Sequence, residues 1–302
     1  MHTPFRFRVA VSPLSWTNDV LEDLGNDTPL EQCLSEAATA GFAGTELGRK
    51  FPREAQTLKP ILNQHSLQLA SGWHSGFLAE RSVEEEMKAV APHAELLQAL
   101  GAKVMVYGEC GVMVPEVPLD VPMSTRLTLT AADMSAYAER ITRFARCLDE
   151  HYGLRLAYHH HLMMVAETLD EVSALFEQTG PEVGLLLDTG HAAAAGFDYR
   201  VLLERFGQRI VHIHLKDVRA EVMQTVREQD LSFNEGVRRG MFTVPGDGSV
   251  DFGALAAFVR DTGYAGWLVV EAEQDPMKAP PLETVSRARR FIAATFEAHA
   301  QA

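Results

Sequence analysis

The chain has 302 residues, of which 46% are hydrophobic and 23% charged, a globular composition that excludes disordered, collagen-like and coiled-coil architectures. Its net charge of −14 repels nucleic-acid backbones and anionic membrane surfaces, so neither is an expected partner. Cys33, Cys110 and Cys147 are widely spaced and form no Cys-x-x-Cys pair, which argues against a disulfide framework or a thiolate zinc site. Arg6 and Arg8 interrupt the apolar stretch a signal peptide needs, and no run approaches the ~18 apolar residues of a membrane span, so a cytoplasmic protein is expected.

In chain order, eight short apolar or β-branched runs read as strands: Arg6 to Ser12, Ala43 to Leu47, Leu67 to Trp73, Lys103 to Tyr107, Leu154 to His159, Val183 to Asp188, Ile210 to Lys216 and Trp267 to Glu273. A helical stretch follows each. Thr28-Pro29-Leu30-Glu31 and Thr168-Leu169-Asp170-Glu171 have capping-box spacing, with Pro29 expected at the first helical position. Gly41, Gly101, Gly153 and Gly263 stand where left-handed helix caps are expected. Eight βα units without a Pro/Gly/Ser-rich linker predict a (β/α)8 TIM barrel, one domain over 1–302. An open doubly wound sheet would want a Gly-rich phosphate turn after its first strand, where Ser12-Pro13-Leu14-Ser15-Trp16 stands instead. The connections 108–130 and 217–248 are longer than packing requires, as functional loops are.

Barrel chemistry sits at the C-terminal ends of the strands. Here those ends carry Trp16, Glu46, His74, Glu109, His159-His160-His161, Asp188, His191, His212, His214, Lys216, Glu271 and Glu273. Alternation along a strand sends Leu154, Leu156 and Tyr158 outward and His159 and His161 inward. It sends Val211, Ile213 and Leu215 outward, with His212, His214 and Lys216 inward. Asp188, Glu271 and Glu273 also take the inward register. Imidazoles and carboxylates converging with few thiols suit a borderline or hard divalent ion, and His159, Asp188, His214 and Glu271 are the expected ligands. His212 lies one inward step deeper and is expected to support the site, and His160 to be structural. His2, His65, His93, His151 and His299 are expected to be solvated, as is the run Glu84-Glu85-Glu86. Trp16, Trp73 and Trp267 could each stack on a substrate, with core packing at least as strong a reading for Trp267.

The segments Trp16-Thr17-Asn18-Asp19, Tyr158-His159-His160-His161, Leu187-Asp188-Thr189-Gly190-His191, His212-Ile213-His214-Leu215-Lys216-Asp217 and Glu271-Ala272-Glu273-Gln274-Asp275-Pro276 resemble the inosose dehydratase family, within the xylose-isomerase-like barrels. The resemblance runs from Val9 to about Arg290. It implies loss of water from a cyclitol, 2-keto-myo-inositol, giving a trihydroxycyclohexane-1,2-dione. It also implies Mn²⁺ or Co²⁺, with glutathione as an accessory. Laid on the superfamily's ligand pattern, it returns His159, Asp188, His214 and Glu271, with His159 where a glutamate is usual and His161 left open as the alternative strand-five ligand. For the chemistry, His191 and Glu273 are the expected acid and base, with Lys216 holding an oxygen. Trp16, Glu46, His74 and His161 are the expected substrate contacts. A metal-dependent ketose isomerase or epimerase is the second reading, and self-association into a homo-oligomer is compatible with both.

Overall fold

A computed structural model describes residues 7–117 and 119–297; His2, Arg6 and His299 lie outside the described residues. Seven strands run parallel side by side: β1 (Arg8–Val11), β2 (Gly44–Leu47), β3 (Gln68–Gly76), β4 (Val104–Glu109), β5 (Arg155–His159), β6 (Val183–Asp188) and β7 (Ile210–Leu215). Two short strands, β8 (Asp217–Val218) and β9 (Phe242–Thr243), pair antiparallel outside this sheet. β10 (Trp267–Val270) then lies between β7 and β1 and closes the barrel.

Alternation sorts the side chains. Leu156, Tyr158, Leu185, Leu187, Ile213, Leu215, Leu268 and Val270 join one large cluster with the surrounding helices. Inside the barrel, Ala10, Ala70, Trp267 and Val269 form one layer and Val106, Ala157 and Leu186 another, so the bore is packed and the polar strand ends stand above it. Trp267 is thus a core residue, stacked under the Arg8 guanidinium 4.0 Å from its ring centre. A Cβ on Gly44 would sit 2.7 Å from that indole, so the glycine makes room for it.

Two bulges alter the expected alternation. Between β2 and β3 the register steps from Thr45↔Leu69 to Leu47↔Gly72, leaving one extra residue on β3. Beyond it Trp73 faces the bore and His74 faces the helices, where it meets Glu86. Between β6 and β7 the register steps from Leu185↔Ile210 to Leu186↔His212, so Val211 packs with the interior layer rather than outward.

The Thr168 box is present: Glu171 N–H reaches Thr168 Oγ1, and the Glu171 carboxylate accepts from Thr168 N–H at 2.9 Å. The Thr28 box is not. The helix Leu30–Thr39 begins after an extended Pro29, which caps it through its carbonyl without a side-chain bond. A box with no counterpart among the sequence expectations forms at Ser82 and Glu85. Gly41, Gly101, Gly153 and Gly263 all take positive φ.

Both long connections fold over the barrel mouth. Segment 217–248 contains the helices Ala220–Glu228 and Phe233–Arg239 and the β8–β9 ribbon. Asp217 Oδ2 pins its turn by accepting the N–H groups of Gly246 and Gly248, each at 3.0 Å. Segment 108–130 docks on it through the Pro122↔Ser232 bridge and through Ser124, which donates to Asp230. Among the described residues no helix is long and apolar enough to cross a membrane.

Candidate metal centre and cavity

At the ends of β5, β6, β7 and β10, His159, Asp188, His214 and Glu271 bring one potential ligand atom each to within 4.8 Å of one another, all four side chains buried. Hydrogen bonds behind the quartet orient its imidazoles. His159 Nδ1–H donates to the His160 carbonyl at 2.6 Å, and His214 Nε2–H to Glu46 Oε1 at 3.1 Å. These bonds engage one nitrogen of each ring and leave the other facing inward, which is how ligating histidines are oriented. Those atoms, His159 Nε2 and His214 Nδ1, both lie 3.5 Å from Asp188 Oδ2. Asp188 Oδ1 accepts from His191 N–H at 2.8 Å, whereas its Oδ2 is buried without a hydrogen-bond partner. Two carboxylates and two imidazoles turned to one buried point are a donor set that fits a divalent ion.

Burial and mutual charge shift the titration of the groups around this point. Burial opposes charge on His214, but Glu271 and Glu46 outweigh it and lift its pKa well above the ordinary histidine value. Burial also opposes ionisation of Glu271, yet His214 and Lys216 bring its pKa down to about 2. Glu273 behaves differently: burial, with Glu271 alongside, leaves its pKa above the usual carboxylate range despite Lys216. Burial and neighbouring positive groups hold His161 and His191 well below the ordinary value, so both are neutral.

A cavity of about 550 Å³ opens over the quartet. Glu46, Trp73, His159, His161, His214, Glu271 and Glu273 line its floor, and the loop around Cys110–Pro115 lines its rim. Trp73 meets His159 and His161 edge-on, at ring-centre distances of 5.7 and 6.1 Å. Glu46 is tied down by Ser71 at 2.5 Å and by His212 at 2.9 Å, which gives His212 a supporting position. His160 Nε2 accepts Asp188 N–H from behind at 3.2 Å. His161 stands with His191 and Glu273 in a second cluster beside the quartet.

Several expected residues lie elsewhere. Trp16 is buried against the helices, its indole N–H donating to Glu36 at 2.6 Å, away from the cavity. His74 bonds Glu86 at 2.6 Å and stacks on His93. Glu86, read as solvated, is fully buried because it falls on the same helix face as Val83, Val90 and Leu97. His93 is half-buried with its pKa lowered to about 4, chiefly by burial. Lys216 and His191 stand behind the floor without lining the cavity. Trp73 takes the cavity position expected of His74; the β3 bulge that exchanges them leaves no mark in the hydropathy pattern.

A family model described as a xylose isomerase-like TIM barrel matches residues 34–295, and the chain belongs to that family. Within it, the chain is 40% identical over 94% of its length to an inosose dehydratase of Clostridium perfringens, covering 96% of that protein. It is 49% identical over 91% of its length to the rhizopine catabolism protein MocC of Rhizobium meliloti, covering 84% of that protein. Among solved structures, an IolI protein with a bound zinc atom shares the fold, with a TM-score of 0.70 and 16% identity over 96% of this chain and 98% of that one.

Proposed function

We infer that the protein is a metal-dependent hydro-lyase that removes water from 2-keto-myo-inositol to give a trihydroxycyclohexane-1,2-dione. The observation that carries this reading is the convergence of two inward-facing imidazole nitrogens on the buried Asp188 Oδ2, each at 3.5 Å, beside Glu271 and with Glu273 on the same cavity floor. The inosose dehydratase relatives, alike over nearly their whole length, supply the reaction class.

His159, Asp188, His214 and Glu271 would hold the ion, which when bound supplies Lewis-acid stabilisation of negative charge on the ketone oxygen. The rest falls to the chain's own side chains. Glu273, whose pKa lies above the usual carboxylate range, takes the proton α to the ketone. The same carboxyl then returns that proton to the departing hydroxyl, which leaves as water. His161 donates Nδ1–H to the Leu162 carbonyl at 2.6 Å, so its Nε2 accepts a substrate hydroxyl. Glu46 keeps His214 turned the right way, and the Trp73 face excludes water beside the ring. His191 and Lys216, placed behind the floor, position Asp188, Glu271 and Glu273 rather than touching substrate.

Among the described residues, those lining the cavity include no lysine or arginine, which suits a neutral polyol over a phosphorylated sugar. We further take the ion to be Mn²⁺ or Co²⁺, the cell compartment to be the cytoplasm, which suits three free cysteines, and the whole chain to act as one domain. Glutathione as an accessory and self-association rest on the resemblance alone. Mass analysis of the product from Mn²⁺-loaded protein separates the two reaction classes: a product lighter by one water supports the dehydratase, and an isomer of unchanged mass supports an isomerase or epimerase.

A further inference from the structure

Beside the quartet, His161, His191 and Glu273 form a second group whose potential ligand atoms also lie within 4.8 Å of one another. Two neighbouring clusters of this kind are what a pair of metal ions would use. The second is already filled by a cation of the chain itself. Lys216 is fully buried, with Nζ 3.0 Å from His191 Nε2 and 3.1 Å from Glu273 Oε2. The same nitrogen lies 2.8 Å from Glu271 Oε1 and 3.8 Å from Asp188 Oδ2, so it meets both clusters at once. The surroundings are built for it. The Phe242 ring lies 4.5 Å from Nζ, on a face that favours positive charge. A Cβ on Gly190 would come within 2.4 to 2.8 Å of three carbons of the lysine stem, so only glycine leaves the stem its path.

We propose that Lys216 is a resident cation that occupies a second metal subsite formed by His191 and Glu273, with His161 beside them, and so restricts this centre to one divalent ion. The fixed ammonium neutralises Glu273 and Glu271 as a second ion would, but leaves Glu273 free to move a proton instead of being committed as a ligand. This rests on the metal-dependent reading of the quartet. In Lys216→Met the compensating charge is gone while the three carboxylates and four imidazoles of the two clusters remain, and a second divalent ion takes its place.

The test is metal stoichiometry with Mn²⁺ as the probe. Wild-type protein and Lys216→Met are saturated with Mn²⁺, freed of excess ion, and analysed for metal per chain and by electron paramagnetic resonance. Circular dichroism and a thermal melt confirm the fold. Wild type is expected to hold one Mn²⁺ with an isolated-ion spectrum, and Lys216→Met to hold two with the spectrum of a coupled pair. Adding Glu273→Gln to Lys216→Met should return the count to one. A folded Lys216→Met that holds one ion or none overturns the proposal. So does wild-type protein that takes up two at saturation, a result that needs no variant. Wild-type protein that binds no Mn²⁺, Co²⁺ or Zn²⁺ would instead overturn the metal reading itself.

Discussion

Glu46 Oε1 accepts the Nε2–H of His214 at 3.1 Å and thereby turns Nδ1 of that imidazole toward Asp188 and Glu271. One carboxylate on β2 thus orients a proposed ligand on β7. Glu46→Gln keeps the volume but removes the charge that favours this orientation. Its metal affinity should fall by about 10- to 100-fold with the melting temperature of the apoprotein little changed, as a metal titration followed by calorimetry would report.

Glu273 lines the cavity and lies outside the quartet. Glu273→Gln should therefore keep its ion and lose turnover, by on the order of 10²- to 10⁴-fold in kcat. Paired measurements of bound metal and of kcat check this. Loss of the ion along with activity would place Glu273 among the ligands instead.

His74, turned outward by the β3 bulge, bonds the fully buried Glu86 and should matter to stability alone. His74→Ala leaves that carboxylate with Phe77 N–H at 3.3 Å and Arg81 at 3.5 Å. It should cost about 1–3 kcal/mol in denaturant unfolding while leaving kcat and KM unchanged.

Glu109, at the end of β4, carries a carboxyl that burial raises to about 7, even though it accepts from Tyr107 at 2.7 Å and from Gly111 N–H at 2.9 Å. In the unfolded chain the same group titrates near 4.5. Between those two values the folded protein holds a proton the unfolded chain has released, so this group's contribution to stability falls as pH rises through the window. Glu109→Gln removes that dependence. From about pH 4.5 to about pH 7 the wild type should lose up to about 1.4 kcal/mol per pH unit relative to the variant, measured by urea unfolding across the range.

Much of this site is legible in the sequence because parallel strands translate residue parity into direction. His159, Asp188, His214 and Glu271 each end a run in which the alternate positions are aliphatic, and the barrel brings such ends to one axis. Where an extra residue enters a strand, that translation fails. His74 and Trp73 exchange faces and Val211 turns inward, since a bulge is decided by pairing with the neighbouring strand and not by local hydropathy. Trp16 follows the end of β1, but its large ring is drawn into the helix layer, where Glu36 meets the indole N–H. Glu86 carried a readable signal: Val83, Val90 and Leu97 put it on the apolar face of its helix, whereas reading it as one of three consecutive glutamates hides that.

Removal and return of the ion test the central claim most directly. Protein stripped by chelator is mixed with 2-keto-myo-inositol, the ultraviolet absorbance of the enolised dione is followed, and Mn²⁺ is then added back. No growth in absorbance before the addition and steady growth after it is the expected result. A full rate from stripped protein in which elemental analysis finds no metal would contradict the reading of His159, Asp188, His214 and Glu271 as the centre on which this reaction depends.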